Sequence, residues 1–213
     1  MNFTNLIDRI GAAPVFETGL LLAGEGDPFE VRKQLSRWVA AGKIYQLRRG
    51  LYTLAPPFQK VSPHPFLIAN HIQPHSYVSL QSALAFYDLI PERVLVTTSV
   101  SSGRPFVQST QLGEYQFRHI RRDWFQDYSK IDFGAGQTAW VATPEKALLD
   151  LIYLEPHSDK GAYLQELRLQ NMGQLDLKRM QLLALNSHKP KLLRAYQEIC
   201  RLTLAEKSGF ETL

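Results

Sequence analysis

Basic side chains dominate the part of the chain between residues 29 and 50, which holds six lysines and arginines and one acidic residue, Glu30. Several of them recur three or four positions apart, the spacing that places side chains on one face of an α-helix. Guanidinium and ammonium groups bind phosphate oxygens and guanine edges, so this pattern favours nucleic acid as the ligand. The predicted DNA-contacting residues are Arg32, Lys33, Ser36, Arg37, Lys43, Arg48 and Arg49.

A helix that starts after Asp27 is predicted to carry the first four of these side chains. Asp27, Pro28 and Glu30 form a helix-start signal: the aspartate can cap backbone amides, the proline fits the first turn, and the glutamate can reach back. Gly42 is expected to end the helix. The opposite face is apolar and is predicted to be core rather than functional. Its residues are Val31, Leu35, Trp38 and Val39.

Two shorter helices are predicted before this one, over residues 2–10 and 16–22. After this helix, the spacing of apolar residues changes from a helical period to a period of two on both sides of Arg48-Arg49-Gly50. This pattern predicts a β-hairpin with a basic tip. Three helices and a basic hairpin indicate a winged helix-turn-helix over residues 1–55. In that fold the third helix enters the DNA major groove, and the hairpin tip lies over phosphates or in a minor groove. The alternatives are a merely solvated basic face and a winged helix that binds protein.

A proline-rich stretch follows the predicted winged helix. Four prolines at positions 56–65 fix their own backbone and keep the preceding residues out of the helical region, so these residues are predicted to form an extended linker. The rest of the chain, 66–213, is predicted to be a separate domain. The fold class is therefore α+β, with an N-terminal winged helix-turn-helix joined by a Pro-rich linker to a mixed α/β domain whose C-terminal half is helical. Within that domain we predict strands over 94–100, 115–119 and 137–142, and a helix over 144–154.

A second basic zone lies near the C-terminal end. Residues 160–201 carry eight basic and three acidic side chains, a net charge of +5. The simplest interpretation is a solvated surface. The functional alternative is a second electrostatic contact, either to DNA flanking the main site or to an acidic protein partner. The possible contact residues are Lys178, Arg179, Lys189, Lys191 and Arg194.

No group of side chains makes a strong prediction of catalysis or metal binding. Two of the six histidines, His71 and His75, are four apart, but Pro74 between them breaks any shared helical face. The single cysteine, Cys200, follows an apolar helical pattern that favours a structural thiol. We therefore expect no catalytic residue, no metal site and no cofactor.

Two sets of carboxylates nevertheless define an enzymatic alternative. Glu145, Lys146 and Asp150 could form an acid/base group, although helix capping explains Glu145 more simply. Asp88, Glu92 and Glu145 could instead hold the metal of a nuclease, which the basic N-terminal unit would target to DNA.

Length and composition point to a cytoplasmic protein. The chain of 213 residues is 45% hydrophobic and 21% charged, which is typical of folded globular proteins. One cysteine excludes an internal disulfide framework. Residues 1–16 lack a charged leader followed by a long apolar run, and no stretch is apolar enough to cross a bilayer, so no membrane contact is expected.

Five motifs follow one another along the chain: "GKIYQLRRGLYTLA", "SYVSLQSALAFYDLIPE", "TTSVSSGRP", "GEYQFRHI" and "ATPEKALLDLIYL". Their order and spacing resemble the AbiE-type antitoxins, the AbiEi family of transcriptional regulators. The resemblance implies a DNA-binding N-terminal domain that represses its own operon at inverted repeats. It also implies a C-terminal domain, 66–213, that opposes a nucleotidyltransferase-like toxin, AbiEii; a stand-alone regulator without a toxin is the weaker alternative.

Overall fold

The computed structural model describes residues 2–22 and 27–210, with side chains described through residue 205. Helices and strands both contribute, so the predicted α+β class is confirmed. The helices are α1 (Phe3–Ile10), α2 (Thr18–Leu22), α3 (Pro28–Ala40), α4 (Pro65–Ile72), α5 (Leu80–Phe86), α6 (Pro144–Leu154), α7 (Gly161–Glu166), α8 (Leu177–Asn186) and α9 (Pro190–Phe210). The strands are β1 (Phe16–Glu17), β2 (Ile44–Arg48), β3 (Leu51–Leu54), β4 (Ser76–Val78), β5 (Val96–Ser101), β6 (Phe106–Thr110), β7 (Gly113–His119), β8 (Tyr128–Asp132) and β9 (Thr138–Ala142).

The first elements of the chain are three helices and a three-stranded antiparallel sheet in the order β1-β3-β2. They enclose a small core that includes Leu6, Leu35, Trp38 and Ile44. The prediction of a helix over residues 16–22 was wrong at its start, because Phe16 pairs with Tyr52 of β3 and stacks on its ring. The predicted loop at residues 23–26 lies outside the described residues.

The start of α3 differs in detail from the expected capping box. The Asp27 carboxylate accepts the amide of Phe29 at 2.9 Å, one residue earlier than expected. Glu30 instead lies beside Lys33, with 3.6 Å between the carboxylate oxygen and Nζ. The helix ends at Ala40, since Gly42 adopts a left-handed backbone with φ +66° that continues into β2.

The β2–β3 hairpin contributes to both hydrophobic cores of the protein. Ile44 and Leu54 belong to the small N-terminal core, whereas Leu47 and Leu51, both fully buried, belong to the larger core that follows. The tip at Arg49 and Gly50 is the predicted one, with φ +82° at Gly50. The Gly50 carbonyl accepts the Thr18 amide at 2.9 Å, which closes the tip against the start of α2.

The proline-rich stretch is bound along its length rather than extended throughout. Residues Pro56–Phe58 form a turn of 3-10 helix, and the side-chain Nε2 of Gln59 donates to the carbonyl of Leu54 at 2.6 Å. Gln137, which is buried, accepts from the His64 amide at 2.7 Å and donates to the Ser62 carbonyl at 3.1 Å. These contacts fix the stretch between the hairpin and α4.

The larger core is built on a six-stranded mixed sheet in the order β6-β7-β5-β4-β9-β8. The three strands predicted in this part are confirmed to within two residues as β5, β7 and β9, and the helix over 144–154 is confirmed as α6. The edge strands β6 and β8 were not predicted. Both have adjacent polar residues, at 108–110 in β6 and 129–130 in β8, and neither contains a buried residue, so the alternating apolar pattern that indicates a strand is weak in them.

The C-terminal half is helical, as predicted. α6 is buried along most of its length and packs against α5, α8 and α9. Its start is capped by Thr143, whose hydroxyl accepts the Lys146 amide at 3.3 Å. In the part of the chain that the structure covers, no helix combines the length and the apolar character needed to cross a membrane.

Candidate nucleic-acid interface

The exposed face of α3 carries the four predicted helical contact residues. Arg32, Lys33, Ser36 and Arg37 are all exposed. On the opposite side of the helix Val31, Leu35 and Trp38 are buried and Val39 is half-buried, so the predicted division of the helix into two faces is confirmed.

The polar side chains of this face make few contacts within the protein. The Ser36 hydroxyl donates to the Arg32 carbonyl at 3.0 Å, which keeps it close to the helix axis. Lys33 has the exposed carboxylate of Glu30 nearby, a solvent-screened pair of little energetic weight. The two arginines therefore project from the exposed face of the helix.

Phe29 adds an apolar residue that the sequence analysis did not single out. It lies in the first turn of α3, and 65% of its surface is exposed. Arg32 and Lys33 follow it by three and four positions, so the three side chains are neighbours on the helix surface. The sequence contains a signal for this exposure, because Phe29 falls outside the apolar stripe of Val31 and Leu35. An exposed aromatic ring beside arginines can contact thymine methyl groups.

The predicted DNA-contacting residues of the hairpin differ in their exposure and in their contacts within the protein. Arg49 at the tip is exposed. Arg48 is held within the protein: its Nε donates to the His71 carbonyl at 3.1 Å, and its Nη2 lies 3.3 Å from a Glu17 carboxylate oxygen. Lys43 lies at the other end of the hairpin, where its Nζ is 4.9 Å from the centre of the Phe3 ring.

Two of the five basic residues named in the second zone are neutralised by acidic residues that precede it in the sequence. Arg179 makes a two-pronged contact with Asp127, with Nη2 to Oδ1 at 2.6 Å and Nε to Oδ2 at 3.1 Å. Arg194 Nε donates to Asp159 at 2.8 Å. Lys191 donates to the Glu155 carbonyl.

The two remaining residues of the zone lie at its surface. Lys178 and Lys189 are exposed, and Lys189 Nζ is 6.0 Å from the centre of the Tyr153 ring. The positive surface here is therefore smaller than the count of basic residues suggested.

We expect the DNA affinity of the variant Lys178→Gln/Lys189→Gln to lie within about twofold of the affinity of the parent protein, because two separated surface charges add little to affinity. The measurement is filter retention of duplex DNA at fixed salt. Arg179 and Arg194 are left unchanged, since their loss would release the carboxylates of Asp127 and Asp159. A loss of retention greater than about tenfold would assign this zone to the DNA interface.

A buried charged network lies at the centre of the larger core. Lys146 and Asp150 are both fully buried on α6 and form an ion pair one helical turn apart. The Asp150 carboxylate also accepts from Tyr77 at 3.0 Å, Ser79 at 2.8 Å and the Trp124 indole at 2.7 Å. Lys146 Nζ lies 4.2 Å from the centre of the Trp124 ring.

The protonation of this network follows from its burial. Burial lowers the pKa of Lys146, and the adjacent Asp150 carboxylate opposes part of that shift. Burial and Asp150 together raise the pKa of Tyr77, so its hydroxyl stays protonated and donates. Because no surface of Lys146 or Asp150 is accessible, the pair stabilises the fold and offers no site for a substrate.

The three carboxylates of the nuclease alternative do not all lie at one site. Asp88 and Glu92 line a cavity of about 460 Å³, and Glu92 is paired with Arg168. Glu145 is buried elsewhere and accepts the Asp176 amide at 2.8 Å, which ties α6 to the start of α8. Within residues 2–22 and 27–210, no three histidine, cysteine or carboxylate side chains form a group that could hold a metal ion.

Comparison with protein-family models and with functionally characterised proteins finds no match to this chain.

Proposed function

We propose that this protein is a DNA-binding transcriptional repressor that uses a winged helix-turn-helix at its N-terminal end. The observation that carries the proposal is the exposed basic face of α3, with Arg32, Lys33 and Arg37 directed away from a buried apolar stripe. The order α1-β1-α2-α3-β2-β3, with the three strands in one antiparallel sheet, supports a winged helix.

In this proposal α3 is the recognition helix and lies in the major groove. Arg32 and Arg37 read base edges, since arginine to guanine is the commonest specific pairing. Lys33 and the exposed tip residue Arg49 bind phosphates. Arg48 positions the hairpin through Glu17 and the His71 carbonyl rather than binding DNA directly.

The proposed biological role is that of an antitoxin and autorepressor in an AbiE-like toxin–antitoxin system. The motif resemblance supports this part: it implies an inverted-repeat operator and a nucleotidyltransferase-like toxin partner. The proposed location, from the composition, is the cytoplasm, without membrane contact. The motif "PEKALLDL" contains the buried residues Lys146 and Asp150, so this part of the resemblance reflects the packing of the larger core. Toxicity of the adjacent gene product, relieved by co-expression of this protein, would support the pairing, and an adjacent gene of unrelated function would favour a stand-alone regulator.

The DNA-binding proposal is tested by the dependence of affinity on salt. Five phosphate-binding cations including Arg48 would give a slope of log affinity against log salt of about −4 to −5, whereas Lys33 and Arg49 alone, with Arg32 and Arg37 on base edges, would give about −2. We expect the smaller slope on the DNA upstream of the protein's own gene. A flat response would contradict the proposal.

The same DNA incubated with magnesium distinguishes repression from DNA processing. We expect salt-sensitive retention without cleavage. Strand cleavage that requires magnesium would instead support the nuclease alternative.

A further inference from the structure

A cleft of about 400 Å³ lies where the N-terminal strand β1 meets the larger core. Glu17 of β1 forms one side, His71 and His75 lie at the end of α4 and the turn after it, and Lys130 and Trp140 lie on β8 and β9. Its volume falls within the range of sites that bind small molecules. The proposed DNA-contacting face of α3 contributes no residue to it.

Trp140 gives the cleft a flat aromatic surface. Although tryptophan is normally well covered, 44% of this side chain is exposed. The Tyr128 ring packs against it in an edge-to-face arrangement, with 5.6 Å between the two ring centres. The exposed ring can therefore stack with a planar ligand.

Lys130 places a cation beside that surface. Lys130 and Trp140 are directly paired across the β8–β9 ladder, so their side chains project from the same face of the sheet about 5 Å apart at Cβ. Lys130 is exposed. An anionic group attached directly to a stacked ring would fall within its reach.

The charge of the cleft favours an anion. Its one carboxylate, Glu17, lies 3.3 Å from Arg48, which offsets its negative charge. Desolvation lowers the pKa of His71, and Arg48 adds to this while Glu17 opposes it, so the His71 ring is neutral at pH 7 and can hydrogen-bond. Lys130 is then the uncompensated charge of the cleft.

The walls of the cleft are fixed by hydrogen bonds. The Asn70 side chain accepts the Trp140 backbone amide at 2.6 Å and donates to the Ser76 carbonyl at 3.2 Å, which joins α4 to β9 and β4. Arg48 joins the hairpin to α4 through the His71 carbonyl at 3.1 Å. A ligand would enter a site that is already formed, and little binding energy would be spent on ordering it.

We infer that this cleft is a binding site for a small aromatic carboxylate, whose ring stacks on Trp140 and whose carboxylate pairs with Lys130. A ligand whose carboxylate is attached directly to its ring suits this geometry, because Lys130 lies beside Trp140 on the same face of the sheet.

Isothermal titration calorimetry with naphthoate and benzoate on the full chain tests this inference. We expect naphthoate to bind with a dissociation constant of about 1 mM or lower, from the affinity typical of a ligand of this size. Naphthamide, which lacks the charge, and cyclohexanecarboxylate, which lacks the flat ring, are expected to bind at least about fivefold more weakly. Absence of binding by both aromatic acids, or equal binding of naphthoate and naphthamide, would overturn the inference.

Variants assign the binding to this cleft. Trp140→Leu, which keeps an apolar side chain, should weaken naphthoate binding about tenfold, Trp140→Phe should retain most of it, and Lys130→Gln should weaken it about fivefold. Lys60→Gln, a change of an exposed lysine outside the cleft, is the matched control. Circular dichroism shows whether each variant is folded, and binding that none of the cleft variants changes would place the ligand elsewhere. The assay contains no DNA, so its outcome is independent of the proposed repressor function.

Discussion

Replacing Asp150 by alanine is expected to lower the free energy of unfolding by about 3–5 kcal/mol. The change leaves the buried ammonium of Lys146 without its partner and removes the acceptor of Tyr77, Ser79 and Trp124. Urea unfolding followed by circular dichroism gives the value. A loss of this size is comparable with the whole stability of many domains.

The same variant should recover stability as the pH rises. In the unfolded chain Lys146 keeps its proton up to its ordinary pKa of 10.5, whereas burial favours the neutral amine in the folded state. Between the lowered pKa of the folded state and 10.5, the unfolded state therefore binds more protons, and stability increases with pH by up to about 1.4 kcal/mol per unit. The control is Asp123→Ala, which breaks an exposed pair with Arg121 and should cost about 1 kcal/mol or less. Equal losses in the two variants would contradict the structural role assigned to Asp150.

Replacing Arg32 and Arg37 together by alanine is expected to weaken DNA binding at least about 30-fold at constant salt. Each arginine that contacts a base or phosphate contributes about 1–3 kcal/mol, and both project from the exposed face of α3. Binding to the DNA upstream of the protein's own gene is measured by fluorescence anisotropy. The slope of log affinity against log salt should also become smaller by about two if both residues neutralise phosphates, and by less if they read bases.

The variant Arg104→Ala/Arg122→Ala serves as the matched control, because it removes the same total charge from two exposed arginines outside the first 55 residues. Among the described residues, neither has an ion-pair partner. Its affinity should change by less than about twofold. Both double variants should melt at the temperature of the parent protein, since neither pair is buried. If the two variants lose affinity equally, net charge rather than the α3 face governs binding.

The elements with strong local signals were predictable from the sequence. α3 has a cap at Asp27 and an apolar stripe that includes Leu35 and Trp38, and both appear in the structure. α6 has the Thr143 cap and a continuous apolar side. In each case the signal lies within one or two turns of the chain, where propensity and burial agree.

Features that depend on distant residues were not predictable. Phe16 joins a strand rather than a helix because Tyr52, far along the chain, pairs with it. Arg48 was assigned to DNA with Arg49, but its guanidinium meets Glu17 and the carbonyl of His71. The basic surplus after residue 160 was overestimated for the same reason, since partners such as Asp127 lie outside the window over which charge was counted. Sequence spacing predicts which charged residues share a surface, but not the distant residues with which they form ion pairs.

The division of the β2–β3 hairpin between two cores has a consequence for how such a protein can diversify. Leu47 and Leu51 are fully buried in the larger core while Ile44 belongs to the smaller one, so a substitution at any of these positions disturbs the packing of one core or the other. The exposed side chains of α3 meet neither core. If the proposed function is correct, new operator preferences can therefore arise by changes on α3 alone. Transplanting the first 55 residues into another chain would, in contrast, require a receiving surface shaped for Leu47 and Leu51.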